Sequence, residues 1–83
     1  MEAVFTFHNA GEAIGGERRL LEGGVKVKVM PLPASLGAGC GLCLRVAPGD
    51  LDASLGLLRA ADISPQGLYL RGVEGGQTVY TPL

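Results

Sequence analysis

The sequence predicts an α+β domain of the ferredoxin-like β-α-β-β-α-β class, a four-stranded antiparallel sheet with two helices on one face. Three observations lead there. Residues 25–30 and 42–46 alternate apolar and polar side chains, the period of a strand with one buried face. Two longer stretches, 9–22 and 48–61, space their apolar residues three to four apart, the period of a helix. A breaker-free run precedes the first of these stretches, and a short strand-like run follows the second. A fragment of a doubly wound fold is the alternative. It conflicts with the alternation at 25–30, because parallel strands covered on both faces read as continuous apolar runs.

Each element follows from its residues. Ala3-Val-Phe-Thr-Phe7 is largely β-branched and aromatic and predicts strand 1. Asn9 is a strong N-cap, and Glu12 stands three residues on, where it can reach back in a capping box. Ala10, Ala13, Ile14, Leu20 and Leu21 form the apolar face of helix 1, interrupted by Glu17. Gly15 and Gly16 each weaken that helix by about 1 kcal/mol relative to Ala, so packing must support it. Gly23-Gly24 ends it, since glycine adopts the left-handed cap conformation freely. Strand 2 is Val25 to Met30, with three valines on one face and Lys26, Lys28 and Met30 on the other. Pro31 and Pro33 end it, and residues 31–41 form a loop. Strand 3 is Leu42 to Val46, with Cys43 and Arg45 facing away from Leu42, Leu44 and Val46. Pro48 suits the first turn of helix 2, whose buried stripe is Leu51, Leu55 and Leu58 and which ends at Ala61. Gly67 to Val73 is strand 4.

The 83 residues are enough for one domain, placed at 1–73, with 74–83 a tail or a short extra strand turned by Glu-Gly-Gly. The chain is too apolar, at 47%, and too weakly charged, at −1, for a disordered segment. The same charge argues against a dedicated nucleic-acid binder. No apolar run approaches the ~20 residues that span a bilayer, and no signal-peptide pattern opens the chain. The expectation is a soluble, cytoplasmic protein without a membrane partner.

One histidine and two cysteines restrict the chemistry. Cys40 lies between Gly39 and Gly41, and glycines let a backbone wrap its N–H groups around an anion. A nearby helix N-terminus adds positive charge. Both favour a thiolate, the reactive form of cysteine. Alternatively, Cys40 is a small residue in a tight turn. The right-handed crossover rule makes strands 1 and 2 parallel, with strand 3 inserted antiparallel between them. That topology gathers His8, Asn9, Ser35, Cys40 and the Asp62–Pro65 turn at one sheet edge. His8 is then a charge or proton acceptor for Cys40, or a polar residue shielding the strand end. Cys43 either resolves an oxidised Cys40 or packs on the open face. One Cys-x-x-Cys and one His fall short of the four ligands of a structural zinc site, so no metal and no cofactor are expected. The glycine spacing is not a dinucleotide fingerprint, and Ser35 has no Ser-His-Asp setting. Lys26, Lys28, Arg45, Tyr69 and Arg71 make the open face basic, but without an RNP1 pattern a solvated or dimer surface is the better reading than RNA binding.

The segment Pro31-Leu-Pro-Ala-Ser35-Leu-Gly-Ala-Gly39-Cys40-Gly41-Leu42-Cys43-Leu44-Arg45 resembles the selenium/sulfur carrier-like family, small domains also found as the C-terminal half of YedF-like selenium-metabolism proteins. Phe7-His8, Ala13, Glu17, Pro31, Pro33, Leu36, Cys40-Gly41 and Leu44-Arg45 occupy that family's pattern. The resemblance covers about residues 3–71. Cys43 is not part of the pattern, and Ala47 stands where the family often has a helix-capping Asp. The resemblance implies a carrier rather than a turnover enzyme, with Cys40 accepting sulfur or selenium as a persulfide or perselenide. It implies a donor such as a cysteine desulfurase, and an acceptor protein. The competing reading is a binding or regulatory module that dimerises through its open sheet face, with Cys40 only structural.

Overall fold

The structure is a computed structural model that describes residues 1–37 and 41–83. Its elements run β1 (Glu2–Thr6), α1 (Ala10–Glu22), β2 (Lys28–Pro31), β3 (Leu42–Val46), α2 (Leu51–Ala60), β4 (Gly67–Glu74) and β5 (Gln77–Pro82). Short 3₁₀ turns occupy Ala34–Leu36 and Pro48–Asp50.

The predicted four-stranded ferredoxin-like arrangement is corrected here. The sheet has five antiparallel strands in the order β2-β3-β1-β4-β5. The reason lies at Gly75 and Gly76, whose φ angles are +56° and +79°. Positive φ at both central residues is the geometry of a two-residue hairpin whose twist matches that of its strands. Residues 77–82 therefore fold back along β4, from Glu74 opposite Gln77 to Tyr69 opposite Pro82.

Two other boundaries move for identifiable reasons. β2 begins at Lys28 rather than Val25, because only residues 28–31 find partners in β3. Pro31 closes that strand and is tolerated because β2 lies at the sheet edge. Helix 2 begins as a 3₁₀ turn at Pro48 and becomes α-helical at Leu51.

The register sorts the sheet into two faces. Ala3 and Phe5 on β1 stand beside Val46 and Leu44 on β3 and beside Leu70 and Leu68 on β4. This face carries the core, where Ala3, Phe5, Phe7, Leu44 and Val46 join Ala13 and Leu20 of α1 and Leu58 of α2. α1 ends in a Schellman arrangement. Val25 N–H donates to Leu20 O (2.9 Å) and Gly24 N–H to Leu21 O (3.1 Å), with Gly24 at φ +84°. The turn drives Val25 into the core beside Leu20.

Gly16 packs directly against the core. A Cβ there would stand 3.2 Å from Leu58, 3.4 Å from Leu44 and 3.4 Å from Phe7. Gly15, next to it, has room, with Ile63 at 3.7 Å. The two glycines should therefore respond oppositely. Gly16→Val overpacks the α1 contact and should cost about 1–3 kcal/mol. Gly15→Ala removes a helix-interior glycine and should gain up to about 1 kcal/mol. Urea melts of both variants check this; shifts of the same sign would show that Gly16 is not a packing residue.

Candidate functional site

β1 ends where β3 and β4 begin. Thr6 stands opposite both Cys43 and Gly67, and Thr6 O accepts from Gln66 N–H at 2.8 Å. β2 ends at the same edge, with Pro31 opposite Leu42. Four chain segments thus meet on one rim: the β1–α1 junction with His8 and Asn9, the end of β2 with Leu32 after it, the start of β3 with Gly41 before it, and the turn into β4. Antiparallel pairing alone requires this, because β1 and β3 run in opposite directions.

At the start of α1, Asn9 Oδ1 accepts the Glu12 N–H at 2.8 Å, as its N-cap role requires. Glu12 reaches back one residue further than an ordinary capping box. Its Oε1 accepts His8 N–H at 3.2 Å and contacts His8 Nδ1 at 3.1 Å. The His8 side chain is otherwise exposed. Within α1, the positive end of the helix dipole already faces the Glu12 carboxylate. This arrangement was readable from the i, i+4 spacing of His8 and Glu12, yet the sequence pointed only to the cap.

Beyond the last β2–β3 pair, Leu32 N–H donates to Gly41 O at 2.9 Å. Ser35 lies in the 3₁₀ turn Ala34–Leu36. Among the described residues it makes no hydrogen bond to His8 or Asn9. Gly41 holds φ +84°, and Gly37 holds φ +105°. Gly39 and Cys40 lie outside the described residues.

A Cβ on Gly41 would meet nothing within 4 Å, so any penalty for a side chain there comes from the backbone alone. A left-handed conformation costs an L-residue about 1–2 kcal/mol. Gly41→Ala should lower the melting temperature by several degrees, at roughly 4–8 °C per kcal/mol for a domain of this size. Gly56 is also open to solvent but sits inside α2, and Gly56→Ala should raise it. Matching shifts at the two positions would remove the strain argument at Gly41.

Cys43 is fully buried on the sheet face opposite the core, between Met30 and Thr6. Its Sγ lies 3.7 Å from Met30 O and 3.8 Å from Pro31 O. The second cysteine of the Cys-x-x-Cys is therefore part of the sheet's packing. Among the described residues no three His, Cys, Asp or Glu side chains stand together as metal ligands do.

The same open face carries a cluster the sequence only half revealed. Glu2 Oε1 accepts from Arg45 Nη1 at 2.9 Å and from Arg71 Nη1 at 3.2 Å. Alternation placed Arg45 and Arg71 on this face; only the three-strand register shows that Glu2 lies between them.

A family model matches residues 2–70, 69 of the 83 residues and a span that includes Cys40. Its description reads "Putative Se/S carrier protein-like". The chain belongs to this family. No curated protein and no solved structure matches it. The Se/S carrier-like match stops within β4, so β5 lies outside the matched residues. No helix is long and apolar enough to cross a membrane, a statement that covers the described residues.

Proposed function

We propose that this domain carries sulfur or selenium on Cys40, taking it from a donor protein and passing it to an acceptor. Membership of the Se/S carrier-like family carries the reading, because the matched span contains Cys40 inside its glycine-flanked loop. The positive φ of Gly41, next in the chain, supports it, since such backbone suits a loop that turns N–H groups toward an anion.

The chemistry needs no cofactor. The Cys40 thiolate attacks the terminal sulfur of a donor persulfide, R–S–S–H. The donor S–S bond breaks, the donor leaves as the thiolate R–S⁻, and Cys40 becomes Cys–S–S–H. One disulfide-type bond forms as another breaks, so no oxidant or reductant enters. Transfer to the acceptor repeats the step with the roles reversed, and a perselenide follows the same course. The Cys40 thiol is regenerated after each cycle, so the domain is a cosubstrate of the enzymes on either side.

The test is intact mass after incubation with a cysteine desulfurase and cysteine. A species heavier by one sulfur atom is expected, returning to the starting mass on mild reduction. Absence of that species with several active desulfurases would overturn the reading.

A further inference from the structure

We propose that the open sheet face is a docking surface for the acidic face of a partner protein. The first observation is charge segregation. Lys28 pairs with Arg45 across β2 and β3, Arg71 follows on β4, and Lys26 lines the same shallow hollow as Lys28, Arg45 and Glu2. This face therefore holds four cations and one carboxylate. The rest of the chain holds three arginines against seven carboxylates, although the whole molecule is slightly acidic. Lys26 and Lys28 are exposed and, among the described residues, make no ion pair, while Arg45 and Arg71 share the one carboxylate, Glu2.

The second observation is composition. Between the cations lie Val4, fully buried, and the partly buried Tyr69 and Tyr80. Tyr80 stands opposite Arg71, and Tyr69 stands opposite Val4. Tyrosine and arginine over a packed apolar floor are the residues that dominate protein–protein contacts. A second copy docking face to face would set this cationic cluster against itself, which disfavours the symmetric dimer. A nucleic acid is the weaker match. The face holds four cations in a chain of net charge −1, against the strongly basic surface that a phosphate backbone selects.

Position connects the face to the rim. Arg45 lies three residues along β3 from Leu42, about 10 Å at the rise of a strand. A partner seated on the cations therefore reaches the start of β3, two residues after Cys40 in the chain. That this partner is the sulfur donor or acceptor rests on the carrier reading; the docking surface itself does not.

The experiment separates the two. The full chain is titrated with a fluorescein-labelled 15-residue poly-glutamate peptide, and amide shifts are mapped by NMR. Saturable binding is expected, with shifts at Lys28, Arg45, Tyr69 and Arg71. It should weaken steeply as salt rises from about 0.05 to about 0.3 M. Lys26→Glu with Lys28→Glu should weaken it at least about tenfold, as attraction becomes repulsion. Arg18→Glu with Arg19→Glu, on α1, should change it less than about twofold. Circular dichroism confirms that both double variants fold. No binding at low salt, shifts on the helices, or equal losses in both variants would overturn the proposal. Tighter binding of a 15-nucleotide poly-U on the same residues would overturn it in favour of nucleic acid. Concentration-dependent self-association lost in the lysine variant would overturn it in favour of a second copy. In a parallel assay the lysine variant should take sulfur more slowly from a protein persulfide but normally from glutathione persulfide. No uptake from either source, in variant or parent, defeats the carrier reading and leaves the peptide result standing.

Discussion

Cys40→Ala is expected to abolish the one-sulfur mass increase, whereas Cys43→Ser should retain it. The contrast is between loss of all signal and loss of none, because the two cysteines occupy different places in the chain. Cys43 is closed off within the sheet, with its sulfur near the carbonyls of Met30 and Pro31 and no exposed surface. A donor persulfide cannot reach a sulfur that is fully covered, since attack at sulfur needs access as well as a thiolate. Cys40 is the remaining cysteine, and its neighbour Gly41 has the backbone angle that a glycine-flanked loop requires. Mass spectrometry of both variants after the desulfurase reaction decides the matter. An adduct that survives in Cys40→Ala and disappears in Cys43→Ser would reverse the assignment. Because Ser is smaller than Cys and more strongly polar, Cys43→Ser should still lower the melting temperature.

Phe5→Ala should remove a large part of the domain's stability. Phe5 is fully buried on the central strand, beside Leu44 on β3 and Leu68 on β4. Truncating such a side chain costs about 3–5 kcal/mol, combining lost transfer energy with the cavity left behind. At roughly 0.05–0.15 kcal/mol per residue, a domain of this size has about 4–12 kcal/mol in total. Urea denaturation should show a sharply lower midpoint with an unchanged slope. Val73→Ala provides the comparison: Val73 is 69% exposed, so its loss should fall within about 0.5 kcal/mol. Similar midpoints for the two variants would mean that the core is not centred on β1.

Much of the fold was legible because it depends on short-range periodicity. The period-two pattern of Leu42 to Val46 reports one buried face whatever lies beyond, and β3 spans those residues. The N-cap at Asn9 and the glycine stop after Glu22 are local hydrogen-bond problems with local solutions. Gly75-Gly76 was a visible turn signal, but a turn does not reveal whether the following strand finds a partner. That depended on the free edge of β4, which made the sheet five-stranded. The start of β2 differs too, since Val25 to Val27 alternate like a strand but the pairing with β3 begins only at Lys28 opposite Arg45, and Val25 is held in the turn that ends α1.

For the site, sequence alone determined which residues have the chemistry: a cysteine between two glycines, a histidine at a strand end, and a family pattern around them. Only the tertiary structure decided what those residues meet. It closed Cys43 inside the sheet, and set Glu2 between Arg45 and Arg71, residues 43 and 69 positions away in the chain. It also turned Gly16 from a weakness in a helix into the point where that helix meets Leu44, Phe7 and Leu58. The physical reason is common to all three. Alternation and capping are encoded within a few residues of backbone, whereas a neighbour across a sheet or between packed layers is chosen by strand register and packing, which the whole fold sets together.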